Sequence, residues 1–203
     1  VDREVDVALK PGITVAIPTI PPRVGLLQRA VASVLAQTHP AAGLAVAIDY
    51  AKQGAAATRQ RALDQVDTQW VAFLDDDDEF MPDHLRTLWD AAHAHTADYV
   101  YSWFETIPGG CDPFPVSHYL QPWSDAIPRQ TTITTLVRTE LARKVGFASF
   151  RETGELVDGQ RYGEDWDFTL RCLEMGAKIH HVVAKTWYWH HDSANTSGRP
   201  DRW

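Results

Sequence analysis

Trp70-Val71-Ala72-Phe73-Leu74 runs without a break into Asp75-Asp76-Asp77-Asp78-Glu79, and Phe80-Met81-Pro82 follows. Five apolar residues in a row, short and flanked by polar sequence, read as a strand buried on both faces, as in a parallel sheet. Carboxylates at the end of such a strand sit where an open α/β sheet presents its ligand-binding loops. Two carboxylates about 4 Å apart repel by roughly 4 kcal/mol at an effective dielectric near 20, so several at one strand end need a cation or shared protons. A hard divalent ion, Mg²⁺ or Mn²⁺, takes oxygen ligands and would relieve that repulsion. The alternative is that the acids splay into solvent and favour the positive N-terminus of a helix opened by Pro82.

Outward from that strand the same pattern repeats. Leu44-Ala45-Val46-Ala47-Ile48 and Ile13-Thr14-Val15-Ala16-Ile17, the latter bounded by Pro18, also read as buried strands. Leu27, Ala30, Val31, Val34 and Leu35 fall on one face of a helix ending near Gln37. A second helix is expected from Ala55 to about Gln65, and a third carries Leu85, Leu88, Trp89 and Ala92. Strands alternating with helices imply βαβ units, hence an α/β fold with a mainly parallel, Rossmann-like sheet flanked by helices.

The C-terminal side is less regular. Residues 105–130 contain Pro108, Gly109, Gly110, Pro113, Pro115, Pro122 and Pro128, which exclude a normal helix or central strand. So long a loop, with Phe114, His118, Tyr119 and Trp123, is a candidate binding side or lid, or else a surface excursion whose aromatics cap the sheet. Beyond it we expect a strand over 132–137, a short helix to Val145, a helix over about 164–175, and strands over 179–183 and 186–190. A single domain over 1–203 is expected, with residues 13–104 as one half and 105–197 as a smaller, irregular half.

The 203 residues carry 27 acidic and 19 basic side chains, a formal charge of -8, which disfavours naked nucleic acid as a partner. Cys111 and Cys172 are too few for a disulfide scaffold or a cysteine-rich zinc site, and a reducing, cytoplasmic setting is expected. No apolar run of about 18 residues exists, so no membrane span is expected.

Several segments carry a resemblance. Phe73 to Pro82 is similar to the metal-binding segment of family 2 glycosyltransferases with the GT-A fold, in which Asp-x-Asp precedes a short spacer and Pro. Val15-Ala16-Ile17-Pro18-Thr19 resembles that family's first strand, and Ser33-Val34-Leu35-Ala36-Gln37-Thr38 the end of its first helix. Gly163-Glu164-Asp165-Trp166-Asp167-Phe168-Thr169-Leu170-Arg171 resembles its Glu-Asp motif. The matches run in order along nearly the whole chain.

The resemblance implies an inverting transfer of a sugar from a nucleotide sugar, a UDP-sugar first, to an acceptor hydroxyl, with Mn²⁺ or Mg²⁺. It implies Asp77 as metal ligand and Asp75 and Asp76 as donor-binding acids. It places Asp49 at the donor's uracil, although Asp49 before Tyr50 also reads as a turn former. Arg59 would meet the base or a phosphate, or else be a solvated helix charge. Thr19 would line the nucleoside pocket. Asp165 would be the general base, with Glu164 as its competitor, and a helix N-terminus also suits both acids. In Trp187-Tyr188-Trp189-His190-His191 one histidine would complete the metal shell, and adjacent strand residues face opposite ways, so only one can. His191 is favoured over His190 because it begins the polar turn.

Two other classes fit part of the pattern. A metal-dependent nucleotidyltransferase or phosphohydrolase also gathers acids at strand ends, but there is no Gly-x-x-x-x-Gly-Lys-Ser/Thr loop. A noncatalytic carbohydrate-binding domain would suit eight Trp residues.

Overall fold

β1 (Lys10–Thr19) is buried on both faces from Ile13 to Thr19, and the sheet is built around it. It pairs in parallel with β2 (Gly43–Ile48) on one side and β3 (Thr68–Phe73) on the other. The computed structural model describes residues 8–109, 114, 116–148 and 163–190. Within them β4 (Glu79–Phe80), β5 (Tyr99–Ile107), β6 (Thr135–Arg138) and β7 (Ile179–His190) complete a seven-stranded sheet of order β2-β1-β3-β6-β5-β7-β4. β6 runs against both β3 and β5, while β7 runs with β5 and against β4. Five strands thus share one direction and two oppose it, so the sheet is mixed.

β1 continues through Pro18 instead of stopping there. The Ala16 carbonyl accepts from Leu74 N–H on the β3 side, while the Thr19 carbonyl accepts from Asp49 N–H on the β2 side. Pro18, two residues after Ala16, therefore turns its nitrogen towards β3, and the missing N–H falls where that pairing stops, after Phe73.

The helices follow their apolar stripes. α1 (Val24–Leu35) buries Ala30 and Val34, α3 (His84–Ala94) buries Leu85, Leu88 and Ala92, and α2 (Ala55–Asp64) uses Ala56, Ala62 and Leu63 to lie close on β1 and β2. α4 (Val116–Leu120), α5 (Thr139–Val145) and α6 (Glu164–Glu174) belong to the later half.

Residues 105–130 are not wholly irregular. β5 runs through Glu105, Thr106 and Ile107, across the expected division at 104/105, and α4 forms a short helix. β5 escapes sequence reading because the polar-bearing side chains of Tyr99, Tyr101, Ser102 and Trp103 break the apolar run expected of a strand covered on both faces. The two expected C-terminal strands are one, β7, whose pairing to β5 shifts register around Trp103. All five like-directed strands end at one edge, and this edge gathers Thr19, Asp49, the acids after Phe73, and His190.

Candidate active site

The acidic run does not extend in a line. Asp78 N–H donates to the Asp75 carbonyl at 3.2 Å, closing a turn, and Glu79–Phe80 then return as β4 against Tyr188 and Trp187 of β7. The turn stacks carboxylates: one oxygen from each of Asp75, Asp77 and Asp78 lies within 4.8 Å of the others. Such a set of hard oxygen donors fits a divalent cation.

Arginines from three elements meet this run. Arg59, in α2, donates to Asp75 Oδ1 and to Glu164 Oε1, both at 2.7 Å. Arg23, at the end of a 3₁₀ turn over Pro21–Arg23, places Nη1 2.8 Å from Asp76 Oδ1 and 3.1 Å from Asp77 Oδ2. Arg29, in α1, donates to the Asp77 carbonyl at 2.7 Å and lies 3.1 Å from Glu79 Oε1. His190 closes the far side, with its backbone N–H on Asp78 Oδ1 at 3.0 Å and its ring Nε2 2.7 Å from Glu79 Oε1. The repulsion expected from the sequence is therefore partly met by internal cations.

It is not fully met. Burial, followed by the neighbouring Asp75 charge, pushes the Asp77 carboxyl up to about 7, against the pull of Arg23. Burial and the charges of Asp77 and Asp75 push Asp78 well above the usual carboxylate range. Seven acids gather here, Asp75 to Glu79 with Glu164 and Asp165, against three guanidinium groups. That excess of negative charge is what an added cation would relieve.

Every expected residue but His191 has a defined place. Thr19 Oγ1 donates to Asp76 Oδ2 at 2.6 Å. Asp76 is 3% exposed with both oxygens engaged, so a direct contact to a donor requires Thr19 or Arg23 to move. Asp49 is buried, and its two oxygens accept Gln53 and Gly54 N–H at 2.9 and 2.8 Å, which fixes the loop into α2. Gly54 makes that turn at φ +97°, a conformation costly for other residues. Arg59 is no solvated helix charge: it is 4% exposed and bridges the end of β3 to the start of α6. Asp77 is one of the three residues of the carboxylate set. The favoured His191 lies outside the described residues, and His190 is engaged by Glu79.

Asp165 is partly buried in the first turn of α6, its Oδ1 accepting the Trp166 N–H at 2.8 Å. Burial, then the adjacent Glu164 charge, pushes its carboxyl up to about 7, opposed by Arg59. A Cβ at Gly163 would lie 2.5 Å from Asp165 Oδ1, so the absence of a side chain there is what lets the carboxylate fold back.

Sequence reading overlooked Arg23, Arg29 and Asp78. The signal for Asp78 was in the run itself. Arg23 and Arg29 are six residues apart in a segment read only for its apolar stripe, and nothing local shows that this segment faces the end of β3.

The family profile described as Glycosyl transferase family 2 matches residues 45–153, just over half of the chain. The match takes in Asp49, Arg59 and the acidic run. Among solved structures, S. aureus TarS 1–349 aligns with a TM-score of 0.71 at 17% identity, over 88% of this chain and 60% of that one. Its UDP complex aligns at 0.70 and 17%, over 90% and 61%, and its UDP-GlcNAc complex at 0.71 and 17%, over 90% and 59%. At that identity the likeness is one of fold, and the chain spans about three fifths of the length of those proteins. No curated protein matches the chain in a sequence search. Among the described residues, no helix is long and apolar enough to cross a membrane.

Proposed function

The chain belongs to glycosyl transferase family 2, and from that premise we propose that it transfers a sugar, with inversion, from a UDP-sugar to an acceptor hydroxyl. The observation that carries the reading is the Arg59 bridge, which ties Asp75 at the end of β3 to Glu164, the neighbour of Asp165. A donor-side acid and the residue next to the candidate base are thereby held by one buried cation.

In this mechanism Asp165 accepts the acceptor's hydroxyl proton while that oxygen forms a bond to the anomeric carbon. The bond from that carbon to the β-phosphate oxygen breaks on the opposite face, and UDP leaves with the electron pair. A carboxyl titrating near 7 suits the task, being ionised in a useful fraction at neutral pH and still basic enough to take a proton. Asp77, with Asp75 and Asp78, would hold Mn²⁺ or Mg²⁺, and His191 would complete the set. The metal, when bound, neutralises the charge that develops on the leaving diphosphate. Asp49, Thr19 and Arg59 frame the nucleoside side, and Asp76 acts through Arg23 and Thr19.

UDP is preferred over other nucleotides because the similarly folded TarS forms complexes with UDP and UDP-GlcNAc. Residues 13–104 then serve the nucleotide and 105–197 the acceptor, and the sparse cysteines support a cytoplasmic setting.

The test is isothermal titration calorimetry with UDP, GDP, CDP and dTDP, each with Mn²⁺ and with EDTA. The expected result is UDP binding that depends on Mn²⁺. Absence of binding by every nucleotide would overturn the reading in favour of a noncatalytic domain.

A further inference from the structure

Arg23 is delivered to the acids by a stiff segment. Pro21 and Pro22 fix the backbone directly after β1, and Arg23 N–H closes the turn on the Ile20 carbonyl at 3.0 Å. The side chain is 14% exposed, and a single nitrogen, Nη1, reaches both Asp76 Oδ1 and Asp77 Oδ2. The two contacts differ in kind. Asp76 is also held by Thr19 and belongs to the protein interior. Asp77 is one of the three carboxylates whose oxygens converge. A cation entering among Asp75, Asp77 and Asp78 therefore competes with Arg23 for Asp77.

That competition changes when a diphosphate is present. A cation alone must overcome both the hold of Arg23 on Asp77 and the repulsion between the cation and a guanidinium beside it. A cation bound with a diphosphate brings negative charge to the guanidinium, whose planar fork of donors suits phosphate oxygens.

We infer that Arg23 is a displaceable counterion: it holds Asp77 while the nucleotide site is empty and yields it when a divalent cation arrives with a nucleoside diphosphate, to which it then donates. Cation and nucleotide binding become mutually dependent, and the coupling is the same measured from either side. The nucleotide half rests on the proposed function, whereas the competition for Asp77 does not.

Mn²⁺ affinity, read from the electron paramagnetic resonance of free Mn²⁺, tests this on the full chain with and without UDP. Removing an opposite charge beside a carboxylate alters its affinity for a cation by about tenfold or more, by analogy with its affinity for protons. Arg23→Gln is therefore expected to bind Mn²⁺ alone about tenfold more tightly than wild type, and the tightening that UDP confers should shrink by a similar factor. Arg23→Lys keeps the charge and should stay within about threefold of wild type. Arg23→Gln binding Mn²⁺ no more tightly than wild type would overturn the inference.

Should Arg23→Gln fail to fold by circular dichroism, nitrogen-15 spectra of the wild-type arginine side chains decide. The Arg23 signals should move with Mg²⁺ and UDP and stay with Mg²⁺ and uridine, which lacks the diphosphate. Identical spectra in the two mixtures would overturn the inference. If the wild type binds no UDP at all, the functional reading fails by itself, and Mn²⁺ binding to the two variants without nucleotide still settles whether Arg23 competes for Asp77.

Discussion

The end of β3 and the seam between β5 and β7 are parts of one sheet held in opposite ways. At the end of β3, charges from α1, α2, α6 and the turn after β1 are crossed over long sequence separations, as in Arg59 with Glu164 and Arg23 with Asp76. Along β5 and β7 there is little charge and much ring. Tyr101 stacks on His181 with centroids 4.5 Å apart and planes 2° from parallel, and Phe104 packs against Trp187 and Trp189. Hydroxyls pair across the same seam, Ser102 with Thr186, while Tyr99 meets Thr169 of α6 at 2.8 Å. Ion pairs can be exchanged for a ligand's charges without moving backbone, and close-packed rings cannot be rearranged so cheaply. The end of β3 can thus be rewired, whereas the seam serves as a fixed wall. Trp123 links them, lying 6.0 Å from Tyr101 and 6.5 Å from Trp166, the residue after Asp165.

The largest effect should come where the two regions meet. Asp165→Asn is expected to lower turnover by about 10²- to 10⁴-fold, the usual contribution of a general base, while leaving UDP affinity within about twofold by calorimetry. Loss of nucleotide binding instead would make Asp165 part of the donor architecture. The same residue sets a pH dependence. A base must be ionised to accept a proton, and burial raises Asp165 to about 7, so wild-type kcat/KM should fall as pH drops through about 7. That limb should be absent from the residual activity of Asp165→Asn.

Arg59→Met tests whether the donor side depends on its cross-braces. Removing one partner of a wholly buried pair costs about 3 to 5 kcal/mol. Asp75 and Glu164 are partly exposed, so about 2 to 4 kcal/mol is expected in urea denaturation. A change below about 0.5 kcal/mol would return Arg59 to the status of an ordinary helix charge.

Gly163→Ala is the mildest probe. Its methyl must push Asp165 Oδ1 from 2.5 Å to an ordinary contact, and displacements of this size lower turnover by about tenfold or more. Stability should change little by thermal melting. Unaltered kcat would show that the carboxylate can find another productive position.

The sequence was most legible where burial and periodicity coincide. β1 and β3 announce themselves because a strand covered on both faces must be uniformly apolar, the helices because a surface helix cannot be, and β2 reads like the other two although Leu44 and Ile48 on one of its faces stay exposed. β5 is just as buried, but Tyr99 and Ser102 satisfy their hydroxyls with partners far along the chain, and such partners leave no local pattern. The site divides likewise. The acids of the β3 end form one contiguous run and were visible, whereas the cations that neutralise them come from residues 48 to 54 positions earlier or from α2, and only the folded chain brings them near. Asp49 shows a third case, since the residue type suited two roles and the structure shows its oxygens on the Gln53 and Gly54 amides.

β2 forms one border of the sheet, and its sequence, Gly43-Leu44-Ala45-Val46-Ala47-Ile48, contains neither charge nor proline. Ala45 and Ala47 are buried, while Leu44 and Ile48 on the alternate face are 41% and 37% exposed, with Leu35 of α1 nearby at 79%. The opposite border, β4, is only two residues long and is blunt by comparison. Flat, uncharged borders are where chains pair with copies of themselves, and lysine or proline usually guards them. Among the described residues β2 is thus the border at which a second chain would meet neither charge nor proline, a local property that the surplus of acids in the net charge does not reveal.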